Sequence, residues 1–118
     1  MSGPYLELPG ALEGLMPAFD RSRNLDISEW MDRCKADQAQ IWFKDGFWLM
    51  TQVQPTKEGR ALHIIAAAGN YNHDLIAEAE DWGRSQGCAS VFYTGRPGWI
   101  RREPGYTLKT VTMQKDLA

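Results

Sequence analysis

The sequence predicts a single α/β (α+β) domain with a mixed, mostly antiparallel sheet and helices on both faces. The pair Asp45-Gly46 between two aromatic segments predicts an antiparallel hairpin, because both central residues of a type I′ turn need positive φ. Further on, the apolar segment Ala61–Ala68 leads through a glycine turn into an amphipathic helix and then into a second apolar segment, Cys88–Thr94. This order predicts two parallel strands joined by a right-handed crossover.

Length and composition limit the classes of function. The chain has 118 residues, of which 43% are hydrophobic, and this is enough for one domain with a real core. A formal net charge of -2 argues against a general attraction to nucleic acid or membranes. No apolar run approaches the roughly 20 residues of a membrane span, and the first residues lack the features of a signal peptide. Cys34 and Cys88 are expected to be reduced thiols in a cytoplasm, without metal-ligand spacing.

The N-terminal third predicts a loosely held segment, Met1–Gly10, followed by two helices. Apolar residues recur at helical spacing as far as Phe19, and Pro17 is expected to kink or break that helix. Asp26 is placed to cap the second helix. The apolar face of the second helix consists of Ile27, Trp30, Met31 and Cys34.

The rest of the chain predicts a sheet and one long helix. Strands are expected at Gln40–Lys44, Phe47–Gln54, Ala61–Ala67, Cys88–Tyr93 and Tyr106–Lys115. A second reversal at Pro55–Gly59 makes the first three strands an antiparallel meander. The helix between Asn72 and Gln86 is expected to bury Leu75, Ile76, Ala79 and Trp82.

The turn from Ala66 to His73 has two interpretations. A helix that begins directly after a buried strand presents free backbone N–H groups and the positive end of its dipole, and such a terminus suits a phosphate. The alternative is a plain turn in which Gly69 supplies an unusual φ and Asn72 caps the helix.

The predicted order of elements resembles the GNAT N-acetyltransferase fold over residues 40–117. The segments Trp82–Cys88 and Met113–Leu117 are also similar to that family in sequence. Gly95–Trp99, followed by Gly105-Tyr106, resembles small GNAT-like proteins encoded by tailed bacteriophages. The resemblance implies acetyl-CoA as cofactor and transfer of its acetyl group to an amine as the activity.

The cofactor loop departs from the family pattern. GNAT enzymes hold the pyrophosphate of acetyl-CoA in a loop of pattern Gln/Arg-x-x-Gly-x-Gly/Ala. Aligning its first glycine with Gly69 places Ala66 at the Gln/Arg position and Tyr71 where a small residue should stand. We therefore expect no cofactor. If the chain is an enzyme, the resemblance implies that acetyl-CoA is held by Ala67, Ala68, Gly69, Asn70, Tyr71 and Asn72.

We assign no catalytic residue and no metal ligand. His63 lies on the central predicted strand, where a histidine is more often packed or hydrogen-bonded than catalytic. Tyr93 and Tyr106 are better explained as aromatic packing with a solvated hydroxyl group.

A basic turn is the candidate partner-binding surface. Its residues are Arg96, Trp99, Arg101 and Arg102. Arginine and tryptophan are enriched at protein-binding hot spots, and together they also contact single-stranded nucleic acid. The structural alternative is that Trp99 packs into the core beneath solvated arginines.

These observations predict a phage-type GNAT-like accessory or virion-assembly protein that binds a protein partner, such as a phage structural protein, and has lost acetyl transfer. One alternative is an acetyl-CoA-dependent N-acetyltransferase, and another is a nucleic-acid-binding module. Binding to nucleic acid or a membrane is not expected. We expect the protein in the host-cell cytoplasm or associated with the virion.

Overall fold

The three helices and the first four strands follow one another along the chain in the order that the sequence predicts. The structure is a computed structural model that describes residues 2–21, 25–95, 98–109, 113 and 115–117. The helices are α1 (Ala11–Asp20), α2 (Ile27–Lys35) and α3 (His73–Ser85), followed by a short 3-10 helix at Trp99–Arg102. The strands are β1 (Gln40–Lys44), β2 (Phe47–Thr56), β3 (Gly59–Gly69) and β4 (Cys88–Tyr93).

The four strands form one sheet in the order β1-β2-β3-β4. β1 and β2 pair antiparallel, as do β2 and β3, whereas β3 and β4 are parallel. The hairpin turn has φ 48° at Asp45 and 83° at Gly46, and positive values at both residues confirm the predicted turn chemistry. The parallel pair confirms the predicted crossover through α3.

Helices cover both faces of the sheet, as predicted. α1 and α2 bury Leu15, Phe19, Trp30 and Cys34 against one face. α3 buries Leu75, Ile76 and Ala79 against the other face, as predicted. The prediction that Trp82 is buried with them is wrong: it is half-buried, because its ring packs at the margin of the core, edge-on against Trp42. The aromatic residues of the hairpin divide between these faces, because successive strand residues point to opposite sides.

Two of the helices have a side-chain cap at the N-terminus. The Asp26 carboxylate accepts a hydrogen bond from the Ser28 N–H at 2.9 Å, and it caps α2 as predicted. The amide oxygen of Asn72 accepts from the Asp74 N–H at 2.9 Å, and it caps α3. These caps fix the starts of α2 and α3 at the positions that the sequence indicates.

A break of the first helix at Pro17, one of the two outcomes that the sequence predicts, is wrong. α1 continues through Pro17, which is exposed, while Leu15 and Phe19 on either side of it are buried. The packing of these two residues holds both turns in place despite the hydrogen bond that proline removes, because tertiary packing supplies most of a short helix's stability.

The predicted last strand is also wrong where the structure describes it. Tyr106–Lys109 lie outside any strand, and the Leu108 side chain is 83% exposed. The Tyr106 hydroxyl group donates a hydrogen bond to Glu80 on α3 at 2.7 Å, so the segment begins against the helix instead of along the sheet. Residues 110–112 and 114 of the predicted strand lie outside the described residues.

Candidate functional site

β3 and β4 separate at one end, next to the start of α3. Their ladder ends at the pair Ile64–Tyr93, although β3 continues to Gly69. A bulge at Ile65 accompanies the separation, because Met50 pairs with Ala66 while Thr51 pairs with Ile64. The backbone of residues 65–69 therefore extends beyond the β4 ladder and leads directly into the turn before α3.

The turn before α3 is built mainly by local packing. Gly69 has φ 98°, and a Cβ atom there would overlap the carbonyl oxygen of Gly46 in the hairpin turn. The Asn70 N–H donates to that same carbonyl oxygen at 3.1 Å. Asn72 then caps α3. The glycine is thus required by its φ and by contact with the hairpin, independently of any ligand.

Tyr71 fills the space beside this turn. Its ring packs edge-on against Phe47 at 5.9 Å between centroids and stacks on Trp99 at 6.2 Å. Its hydroxyl group donates a hydrogen bond to the Glu103 carboxylate. Burial, together with Glu103, raises the pKa of Tyr71 to about 12, so its hydroxyl group stays protonated at neutral pH.

Glu103 brings a buried carboxylate to the first turn of α3. Its side chain is 1% exposed, and an oxygen of the carboxylate lies 2.8 Å from Nδ1 of His73, the first residue of the helix. The hydrogen bond and the negative charge of Glu103 raise the pKa of His73 above its usual 6.5. A negative charge near a helix N-terminus is favoured by the helix dipole.

The basic turn contributes to the same cluster. Trp99 is half-buried, with its ring 5.0 Å from Tyr93 and 6.1 Å from Phe47. The Arg102 guanidinium group lies 5.6 Å from the centre of the Tyr71 ring. Arg101 and Arg102 are exposed, and Arg96 lies outside the described residues. Below, Tyr71, His73, Trp99, Arg102 and Glu103 are called the Glu103 cluster.

The Trp99 indole N–H within this cluster lacks a hydrogen-bond partner. Its Nε1 atom is shielded from solvent, and it has no acceptor among the residues that the structure describes. A buried N–H group of this kind is destabilising. The cluster therefore combines a buried charge with an unpaired donor.

Tyr106 holds the end of the same segment on α3. It donates to Glu80, and burial together with this carboxylate raises the pKa of Tyr106. Glu103 and Tyr106 thus attach the chain to α3 at two separate points. Sequence reasoning missed both carboxylates, because Glu80 and Glu103 have partners 26 and 30 residues away and no local pattern indicates such contacts.

His63 lies apart from this cluster, on the opposite face of the sheet. Its ring stacks on Phe92 at 4.2 Å, and burial lowers its pKa to about 4, so it is neutral at pH 7. The Gln54 amide nitrogen lies 3.1 Å from its Nδ1 atom. An amide nitrogen can only donate, so Nδ1 accepts and the proton resides on Nε2. His63 is therefore a packed, hydrogen-bonded strand residue.

The fold of the chain is similar to those of several known acetyltransferase structures. An aminoglycoside acetyltransferase from an uncultured soil metagenomic sample matches with a TM-score of 0.62 and 13% identity, over 91% of this chain and 88% of that one. Glucosamine-6-phosphate N-acetyltransferase from Arabidopsis thaliana matches with a TM-score of 0.61 and 15% identity, over 92% and 90%. A GNAT family acetyltransferase from Staphylococcus aureus matches with a TM-score of 0.58 and 16% identity, over 92% and 88%.

These similarities establish the class of fold. The chain has the mixed α/β architecture of the GNAT acetyltransferases, as its sequence predicts. No protein-family model and no curated protein matches the sequence. No helix among the described residues is long and apolar enough to cross a membrane.

Proposed function

We propose that this chain is a GNAT-fold protein that has lost acetyl transfer and acts by binding a protein partner. One observation carries the proposal: the buried carboxylate of Glu103 lies against the first residue of α3. If this chain bound acetyl-CoA as the GNAT enzymes that it resembles do, the pyrophosphate would approach this helix terminus. Two anions in one poorly solvated site repel each other, so the chain's own carboxylate opposes the cofactor.

Tyr71 opposes the cofactor by its size. A pyrophosphate needs backbone N–H groups within hydrogen-bond distance, and a small residue permits that approach. The phenol ring of Tyr71 instead stands beside the loop, packed on Phe47 and Trp99. We therefore expect acetyl-CoA to bind weakly or not at all.

The proposed partner surface is the exposed side of the basic turn. Arg101 and Arg102 carry its positive charge, while the half-buried Trp99 attaches the turn to the core. The likeness of residues 95–106 to small GNAT-like phage proteins supports an accessory or virion-assembly role, with a phage structural protein as partner. In that setting the protein would act in the host cytoplasm or on the virion.

A specific observation favours acetyl transfer as the second candidate function. The separation of β3 from β4 leaves the backbone of residues 65–69 beyond the ladder, beside the start of α3. If the protein is an enzyme, backbone groups near Ala67–Asn72 would hold acetyl-CoA there. The acceptor amine would attack the thioester directly and pass its proton to water or a weak base.

A calorimetric titration with acetyl-CoA separates the two candidates. For the wild-type chain we expect a dissociation constant no tighter than the high-micromolar range, about 6 kcal/mol of binding or less. Low-micromolar binding accompanied by release of CoA thiol in the presence of amines would establish the enzyme and overturn the proposal. The variant Ala66→Gln with Tyr71→Gly restores the loop pattern, and recovered affinity in it would indicate a site that has decayed.

Charge reversal tests the partner surface separately. Arg101→Glu with Arg102→Glu should leave the fold intact and weaken binding to a purified candidate partner. Lys57→Glu, in the exposed turn between β2 and β3, is the control for a change of charge elsewhere. Unchanged partner binding in a folded double variant would remove the basic turn from the proposal.

A further inference from the structure

A groove of about 470 Å³ lies at the opposite end of α3 from the Glu103 cluster. Its walls come from the start of β1 at Gln40, from β2 at Val53, from β3 at Arg60, and from Gln86 at the C-terminal end of α3. Because α3 has 13 residues and a helix rises 1.5 Å per residue, about 20 Å separates its two ends. The groove is therefore distinct from the turn that precedes α3.

A directional chain of hydrogen bonds fixes the side chain of Gln40 in this groove. The indole N–H of Trp42 can only donate, so the Thr51 hydroxyl group accepts from it at 3.0 Å. The hydroxyl group then donates its single proton to Gln40 at 2.8 Å. The atom of Gln40 that accepts must be the amide oxygen, and this leaves the NH₂ group free of Thr51.

The NH₂ group of Gln40 is an unused donor at the groove. Gln40 is only 7% exposed and lines the groove. Its amide nitrogen has no acceptor among the residues that the structure describes, and it is not closed off from solvent. A nearly buried polar group is costly unless a water molecule or a ligand completes its hydrogen bonds. The groove thus presents an oriented donor to any molecule that enters it.

The other walls of the groove combine apolar surface with one charge of each sign. Trp82 and Val53 are half-buried and supply the apolar part. Asp37 contributes a carboxylate and Arg60 a guanidinium group, so the formal charge of the described lining is zero. A lining without net charge favours an uncharged ligand over a phosphate or an ammonium ion. It also offers both donors and an acceptor, and a ligand rich in hydroxyl groups matches both, because each hydroxyl donates and accepts.

We propose that this groove binds a neutral sugar. The Gln40 amide donates to one sugar hydroxyl group, the Asp37 carboxylate accepts from another, and the C–H face of the sugar ring packs on the indole of Trp82. The proposal goes beyond the proposed function and is independent of it, because acetyl-CoA would approach the other end of α3.

The test adds glucose, galactose, mannose and maltose, each separately and at millimolar concentrations, to the ¹⁵N-labelled wild-type chain. We expect at least one of them to shift the NMR signals of the Gln40 side-chain amide and the Trp82 indole N–H saturably. The backbone amides of residues 70–74, at the other end of α3, should not shift. No response to any of the four sugars would overturn the proposal. So would inorganic phosphate that shifts the Gln40 and Trp82 signals more than every sugar does.

Two variants test the residues that the proposal names. Gln40→Glu keeps the acceptor for Thr51 but removes the donor, and it should raise the dissociation constant of the sugar at least about tenfold. Gln54→Glu makes the same change on the opposite face of the sheet and is the matched control. Asp37→Asn is the milder variant, because Asn tolerates the φ of 61° at this position, and it should weaken binding at least about threefold. Sugar binding that survives both Gln40→Glu and Asp37→Asn would lie elsewhere and would overturn the proposal.

Discussion

The core beneath α3 contains two aromatic clusters, which differ in the charge and the hydrogen bonding of their buried polar groups. In the first, called the Trp42 cluster, the indole N–H of Trp42 donates to Thr51 at 3.0 Å, and the Thr51 hydroxyl group donates to Gln40 at 2.8 Å. Trp82 packs edge-on against Trp42 at 5.7 Å. The indole N–H, the hydroxyl group and the amide oxygen that form this chain of hydrogen bonds are neutral, and each is paired.

The Glu103 cluster has the opposite character. It buries a carboxylate, pairs it with a half-exposed histidine, and leaves the Trp99 N–H without an acceptor among the described residues. A neutral, fully paired network stabilises a core, whereas a buried charge and an unpaired donor do so poorly. The contrast indicates that the Trp42 cluster holds the fold together and that the Glu103 cluster shapes the α3 N-terminus, where function is proposed.

The largest expected effect comes from matched changes of the two tryptophans. Trp42→Phe removes a paired N–H and leaves Thr51 without its donor, and it should lower the free energy of unfolding by about 2–4 kcal/mol. Trp99→Phe removes an unpaired N–H from a half-buried ring and should cost less than about 1.5 kcal/mol. Urea denaturation measures both. Equal losses would erase the distinction between the clusters.

A smaller effect concerns the pH dependence of stability. Because Glu103 raises the pKa of His73 above 6.5, their pairing is fully present below that pH and is lost as pH rises through the raised pKa. The free energy of unfolding of the wild type should therefore decline over this interval. Glu103→Gln keeps the shape of the side chain and should remove the decline, whereas a decline that persists in the variant would assign it to another group.

The smallest expected effect separates the two exposed arginines. Arg102→Ala removes the guanidinium group from the face of Tyr71 and should lower the free energy of unfolding by about 0.5–1 kcal/mol. Arg101→Ala is the matched control, for which we expect a change near zero. Denaturation midpoints for the pair measure the difference. If Arg101→Ala has the larger effect, Arg102 does not stabilise the cluster through Tyr71.

Local chemistry made most of the fold predictable from the sequence. The Asp45-Gly46 turn, the Asp26 cap and the burial of α3 from Leu75 to Ala79 each depend on neighbouring residues, and each is confirmed. The sequence wrongly predicts a break at Pro17, because the burial of Leu15 and Phe19 outweighs the tendency of proline to interrupt a helix. That burial is a tertiary effect, which the local sequence does not show.

The candidate site was only partly predictable. Its glycine turn and its aromatic substitution at Tyr71 are visible in the sequence, but the approach of Glu103 to His73 joins residues 30 positions apart. Tyr106 was expected in a strand because its segment alternates, yet its hydrogen bond to Glu80 places it on α3. Contacts of this range depend on the path of the whole chain and leave no periodic signal.

The central claim is that the Glu103 carboxylate lies against His73 at the N-terminus of α3, and NMR titration of the two histidines tests it most directly. We expect a His73 pKa above 6.5 in the wild type and a return toward 6.5 in Glu103→Gln. His63 serves as the internal control, with a pKa of about 4 in both proteins. A wild-type His73 pKa at or below 6.5, unchanged by Glu103→Gln, would contradict the claim and leave the α3 N-terminus open to an anionic ligand.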